Sequence, residues 1–156
     1  MPAQIVALEA LPPLLAPQAR LLGVDLGDKT IGLALSDSRR IIASPLKTLN
    51  RTKFRADAER LLALAKRHDV GALVVGLPRN MDGSEGPRAQ STRAFVKNLA
   101  PLTTLAIAFW DERLSTAAVT RTLIAADTSR KRRAALVDKM AAAYILQGAL
   151  DRLGYG

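Results

Sequence analysis

The chain has 156 residues, a length that fits one domain with a full hydrophobic core. It contains no cysteine, which excludes disulfides and thiolate metal sites and leaves oxygen donors or the single His68 for any metal. A net charge of +9 and a pI of about 10.6 favour a polyanionic partner, most often nucleic acid, and no apolar run approaches the roughly 18–20 residues of a membrane span.

From Met1 to Gln18 there is no basic residue, and Pro2, Pro12, Pro13 and Pro17 interrupt the segment. It lacks the charged start of a secretory signal and reads as an extension or weakly ordered arm, residues 1–19, ahead of a domain spanning 20–156. Leu21 to Val24 reads as a strand, Gly27-Asp28-Lys29 as a turn, and Ile31 to Leu35 as the second arm of a hairpin. After the turn at Asp37 to Arg40, Ile41-Ile42-Ala43 reads as a short third strand stopped by Pro45. Lys53 to His68 has apolar residues at helical spacing (Phe54, Ala58, Leu61, Leu62, Ala65), and His68 reads as a helix-end residue.

Ala72 to Gly76 is a buried-type strand, and Pro78 to Pro87 a loop. Helices are expected from Pro87 to Leu99 and from Ser115 to Ala126, with a fifth strand, Leu105 to Trp110, between them. A basic run, Arg130-Lys131-Arg132-Arg133, leads to a last helix over about Ala134 to Leu153. Three strands joined by tight turns imply an antiparallel start to the sheet, and later strands alternating with helices imply parallel pairing. The expectation is an α/β protein with a mixed five-stranded sheet flanked by helices.

Three acidic residues stand in unusual places. Asp25 interrupts an apolar strand, where an uncompensated charge is costly. Glu112, next to Asp111, ends the fifth strand, and Asp138 precedes the small residues Ala141-Ala142-Ala143, which let a helix approach a sheet closely. In open α/β sheets ligands gather at strand ends, and three converging carboxylates suit a hard divalent cation, Mg2+ or Mn2+. Each also has an ordinary structural reading: Asp25 as a turn former, Glu112 as a partner of Arg113, and Asp138 as a favourable charge at a helix N-terminus.

Around these carboxylates lie candidate substrate contacts. Gly27 and Lys29 belong to a glycine-rich turn that lets a phosphate approach the backbone. Asn80 and Ser84 lie in the loop after the fourth strand and serve equally well as turn formers. Arg113 and the run Arg130, Lys131, Arg132 and Arg133 are suited to gripping a phosphate backbone, with Arg39, Arg40, Arg51 and Arg55 as further cations. Trp110 and Phe109 read as core.

The segments Gly23-Val24-Asp25-Leu26-Gly27-Asp28-Lys29-Thr30-Ile31-Gly32-Leu33-Ala34-Leu35-Ser36-Asp37, Val75-Gly76-Leu77-Pro78-Arg79-Asn80-Met81-Asp82-Gly83-Ser84-Glu85-Gly86, Asp111-Glu112-Arg113-Leu114-Ser115-Thr116 and Asp138-Lys139-Met140-Ala141-Ala142-Ala143-Tyr144-Ile145-Leu146-Gln147 follow one another in an order that resembles the YqgF/RuvX family. Its members are described as pre-16S rRNA nucleases or Holliday-junction resolvase-like proteins. The resemblance runs from about residue 20 to the end. It implies a ribonuclease H-like fold, with Asp25, Glu112 and Asp138 as the catalytic, metal-holding set. The chain departs from the family pattern at Thr30, where Arg is usual, at Arg79, where a neutral or apolar residue is usual, and at Ser115, where Thr is usual. No departure removes a carboxylate, and Thr30 bears on the grip of the substrate.

The function expected first is metal-dependent phosphodiester hydrolysis in structured RNA, at the 5′ end of pre-16S rRNA, by a cytoplasmic monomer or homodimer with no membrane partner. Resolution of four-way DNA junctions is the second expectation, most simply met by a two-fold dimer. A non-catalytic nucleic-acid-binding module and a nucleotide-binding ATPase or sugar kinase are the remaining two; the last usually needs two such halves.

Overall fold

The computed structural model describes residues 4–114 and 130–155, with side chains in the second stretch from 140 onward. The helix expected over Ser115 to Ala126 lies outside the described residues. Five strands form one sheet: β1 (Arg20–Leu26), β2 (Thr30–Ser36), β3 (Ala43–Asn50), β4 (Val70–Leu77) and β5 (Ala106–Asp111). Their order is β3-β2-β1-β4-β5. β1–β2 and β2–β3 are antiparallel, and β1–β4 and β4–β5 are parallel. Helices α1 (Phe54–Arg67), α2 (Pro87–Leu99) and α3 (Arg130–Arg152) flank the sheet, so the mixed five-stranded architecture read from the sequence is the one observed.

Strand side chains alternate between faces, and each face has its own core. Leu22, Val24, Leu26, Ile31, Leu33, Leu73, Val75 and Ile107 pack with Ala58 and Leu61 of α1 and Phe95 and Val96 of α2. The opposite face carries mostly smaller side chains, Ala34, Ala72, Val74 and Ala108, with Leu21 and Trp110, against Ala142, Ile145 and Leu146 of α3. Bulk on one side and small residues on the other bring α3 close to the sheet. A β-carbon added at Gly23 would lie 2.8 Å from Leu146 Cβ and 2.9 Å from the Ala142 carbonyl oxygen, so only glycine leaves room there.

Two boundaries differ from the sequence reading. β3 begins where it was expected to end and runs through Pro45 to Asn50. It is an edge strand, and the register shifts between Leu33 and Ala34, which pair with Lys47 and Pro45; edges and bulges are where a residue without N–H is tolerated. Ile41 and Ile42 instead form part of the turn, their N–H groups bound to the Asp37 carboxylate at 2.7 and 3.1 Å. α3 begins at Arg130, not Ala134, so the basic run forms its first turn instead of a loop before it.

The segment ahead of β1 lies along the outer edge of β5. Val6 N–H donates to the Ile107 carbonyl and Ile107 N–H to the Gln4 carbonyl, both at 2.9 Å. Leu8 and Leu11 are buried in the α3-side core, and each buried leucine contributes about 1.5–3 kcal/mol. Among the described residues, no helix is long and apolar enough to cross a membrane.

Candidate active site at the carboxyl ends of the central strands

The parallel strands β1, β4 and β5 end on the same side of the sheet, which gathers there the hairpin turn after Asp25, the loop after Leu77 and the turn holding Glu112. Asp25 alternates with Val24 and Leu26, so it shares the α3 face with Leu21 and Gly23. It is 2% exposed. Its neighbour on β2 is Gly32. On β4, one residue beyond the paired couple Val24–Val75, stands Gly76. The buried carboxylate thus has a glycine on each adjacent strand.

Glu112 comes to the same place from the far side. Gly76 pairs with Trp110 and Leu77 with Asp111, after which a short 3-10 turn, Glu112–Leu114, takes the chain away from the sheet. The Glu112 carboxylate reaches back over β4: its Oε2 lies 3.2 Å from where a Gly76 β-carbon would be, and Ile145 Cδ1 lies 2.5 Å from that point. Gly76 therefore lets the buried Ile145 side chain and the Glu112 carboxylate approach β4 beside Asp25. Both carboxylates have interaction partners.

The adjacent acid, Asp111, has a different task. It points away from the α3 face, and Arg113 forks onto it, with Nη2 2.6 Å from Oδ2 and Nε 3.0–3.1 Å from both oxygens. The Arg113 guanidinium holds the Asp111 carboxyl below its usual range, with Arg79 assisting. Arg79 spans from Asp111, at 3.8 Å, to Glu85, at 3.5 Å, and Glu85 is also forked by Arg93 of α2. This chain of ion pairs ties the loop after β4 to the turn that carries Glu112. Arg113, expected as a substrate contact, forms part of the tie.

Asn80 and Ser84 bond to each other, Nδ2 to Oγ at 3.0 Å, and the Asp82 carboxylate accepts from the Ser84 hydroxyl and N–H. The loop turns at Gly83, whose φ of +89° suits glycine and whose α-carbon faces Arg113. Gly27 closes the β1–β2 turn through its N–H to the Thr30 carbonyl at 2.8 Å, and Lys29 is exposed at the tip. His68 caps α1 at the opposite end of the sheet, before β4 begins.

Asp138 stands in the third turn of α3, eight residues after Arg130. Helix-terminus electrostatics fade within the first turn, so a capping role no longer accounts for it. It precedes Ala142 by one turn, along the row that continues through Leu146, and Ala142 and Leu146 are the residues that meet Gly23. Its side chain and those of Arg130, Lys131, Arg132 and Arg133 lie outside the described ones. Among the described residues, no three acidic, histidine or cysteine side chains form a metal-holding group; two members of the expected set, Asp25 and Glu112, share a face and flank Gly76.

Sequence reasoning missed Gly76 as the spacer, Arg79 as the tie and the opposite orientations of Asp111 and Glu112. Alternation along β5 would have revealed the last, because Ala108 and Trp110 share the α3 side with Glu112.

The family model described as "RuvX: Holliday junction resolvase" matches residues 19–152. A protein of Beijerinckia indica named "Putative pre-16S rRNA nuclease" is 64% identical over 155 residues, covering 99% of this chain and 94% of that protein. A protein of the same name from Paramagnetospirillum magneticum is 66% identical over 137 residues, covering 88% of each. Among solved structures, Thermus thermophilus RuvC in complex with a Holliday junction substrate shares the fold at a TM-score of 0.53 and 14% identity, covering 87% of this chain and 96% of that one. With the fold, the paired carboxylates and these matches in hand, the chain belongs to the RuvX family and has the ribonuclease H-like fold of the RuvC resolvases.

Proposed function

We propose that this protein is a divalent-metal-dependent nuclease that cleaves phosphodiester bonds in structured RNA, at the 5′ end of pre-16S rRNA in the cytoplasm. The observation that carries the reading is the placing of buried Asp25 and half-buried Glu112 on one face of the sheet, either side of Gly76. Two carboxylates without a thiolate or imidazole beside them match a hard cation, Mg2+ or Mn2+, and the missing side chain at Gly76 lets the Glu112 carboxylate come in over β4. Asp25, Glu112 and, from α3, Asp138 would hold it. When bound, such an ion supplies positive charge beside the scissile phosphate and makes a water more acidic.

The chain's own part is positioning. Asp25 is fixed by a strand paired on both sides. Glu112 is held by a turn whose neighbours are fastened through Asp111, Arg113 and Arg79. Lys29 and the basic first turn of α3, Arg130, Lys131, Arg132 and Arg133, are the proposed phosphate contacts, together with Gly27, Asn80, Ser84 and Arg113. The names of the two relatives support RNA as substrate; the family description supports a second reading, cleavage of four-way DNA junctions by a homodimer.

The test is a side-by-side assay of a labelled pre-16S leader fragment and a synthetic four-way junction, with Mn2+, Mg2+ or chelator. The expected result is metal-dependent cutting of the RNA, reduced about 10³-fold or more in Asp25→Asn with a thermal midpoint within a few degrees of wild type. Normal cleavage by Asp25→Asn would remove the proposed site, and paired symmetric cuts in the junction alone would establish the second reading.

A further inference from the structure

Just past Asp25, on the α2 side of the sheet, a polar notch of about 20 Å³ is lined by Leu26, Gly27, Asp28, Arg51, Arg88, Ser91, Thr92 and Phe95. Space of this size admits about one oxygen atom. Arg51 Nη1 donates to the Gly27 carbonyl at 2.7 Å, and the guanidinium lies over the Phe95 ring, 5.7 Å from its centroid. The Arg51 backbone N–H also donates to the Lys29 carbonyl. The cation is thus oriented by a carbonyl and an aromatic face, not by a carboxylate.

Arg88, Ser91, Thr92 and Phe95 follow the helical i, i+3, i+4, i+7 row of α2 that faces this notch. Arg88 and Ser91 are exposed. The Thr92 hydroxyl is engaged with the Arg88 carbonyl at 3.0 Å. Arg55, Arg60, Arg79, Arg93, Arg113 and Arg152 all sit in ion pairs. Arg51 and Arg88, like Arg20, Arg39, Arg40 and Arg67 elsewhere, have no ion pair among the described residues, although Asp28 shares the rim. Support of the hairpin turn accounts for Arg51 but for neither Arg88 nor Ser91.

We propose that this notch is a second phosphate-binding site, in which a non-bridging oxygen of the nucleic-acid backbone is held by Arg51, Arg88 and the Ser91 hydroxyl while a neighbouring stretch of the strand lies at Asp25. One guanidinium oriented by the Gly27 carbonyl and the Phe95 ring, a second exposed on α2, and a hydroxyl around an oxygen-sized space match the charge and donor set that a phosphodiester needs. The inference rests on the nuclease reading for its substrate, but its readout is binding, not cutting.

The test measures equilibrium binding of the labelled pre-16S leader fragment between 50 and 300 mM salt, in wild type with chelator and in the Asp25→Asn background. Arg88→Gln, an exposed change, is expected to weaken binding about fivefold at 100 mM salt and to lower the slope of log K against log salt by about one. Arg51→Lys, which keeps the charge but loses the fork, is expected to weaken binding with the slope retained. Arg67→Gln, at the far end of α1, serves as the control and keeps the wild-type slope. If Arg88→Gln matches Arg67→Gln in affinity and slope, the site does not exist. Cleavage by Asp25→Asn would instead overturn the active-site reading alone, because the salt slopes would still decide the notch.

Discussion

The two faces of the sheet solve different problems with the same strands. Toward α1 and α2 the strands present Leu22, Val24, Leu33, Leu73, Val75 and Ile107, a dense aliphatic layer. Toward α3 the same strands present Gly23, Gly32, Gly76, Ala34, Ala72 and Ala108 around the bulk of Leu21, Val74 and Trp110. The first face buries apolar area; the second gives up bulk to let a helix backbone touch the sheet beside two carboxylates. The lesson is that small residues around a buried charge are part of the site even though they bring no chemistry.

The comparison also holds between two buried aspartates. Asp57, 1% exposed on α1, is closed in by the Thr52 N–H and hydroxyl and by Arg60 at 2.7 Å. Burial pushes its carboxyl up, but the Thr52 and Arg60 bonds outweigh that and hold it below its ordinary 3.8. Asp25, almost equally buried, lies between glycines on the face that α3 covers. One aspartate organises the entrance to a helix, whereas the other belongs to the proposed active site.

The largest expected effect on stability comes from the aliphatic face. Leu73→Ala should cost about 2–5 kcal/mol, seen as a lower urea midpoint, while cleavage per folded molecule stays at the wild-type rate. Loss of cleavage in molecules shown to be folded would break the division between the faces.

Asp57→Ala should cost about 2–3 kcal/mol, because it strips a buried donor set of its acceptor. The pH dependence follows in sign. With the folded-state value lowered, the carboxylate contributes stability that is fully present above about pH 4 and is lost as pH falls through the folded-state value. Unfolding curves from pH 7 to pH 3 should therefore converge for wild type and Asp57→Ala. A constant gap between them would show that the Asp57 charge is not what stabilises the fold.

Gly23→Ala should cost about 1–3 kcal/mol, since its β-carbon meets the fixed Ala142 carbonyl. Gly76→Ala should cost a similar amount, because its β-carbon meets the fully buried Ile145 side chain, and it should impair cleavage more by pushing on Glu112. Unfolding midpoints and cleavage rates measured on both variants sharpen the comparison. If Gly76→Ala cuts normally, Gly76 is a packing residue only.

Much of this was legible in the chain itself. Apolar runs marked the strands, helical spacing marked α1, Pro87 marked the start of α2, and the alternation of strand and helix implied the parallel half of the sheet; these are local signals, written over a few neighbouring residues. The candidate carboxylates were legible for the same reason, since a charge inside or at the end of an apolar run is conspicuous in one dimension. What only the tertiary structure decided depends on neighbours distant in sequence. β3 runs through Pro45 because that strand is at the edge and its pairing slips beside β2. The arm before β1 has a seat because the rim of β5 offers the Ile107 N–H and carbonyl. Asp111 and Glu112, adjacent in sequence, part to opposite sides because strand geometry turns consecutive side chains apart, and their environments differ because Arg113 and Arg79 wait on one side and Gly76 on the other.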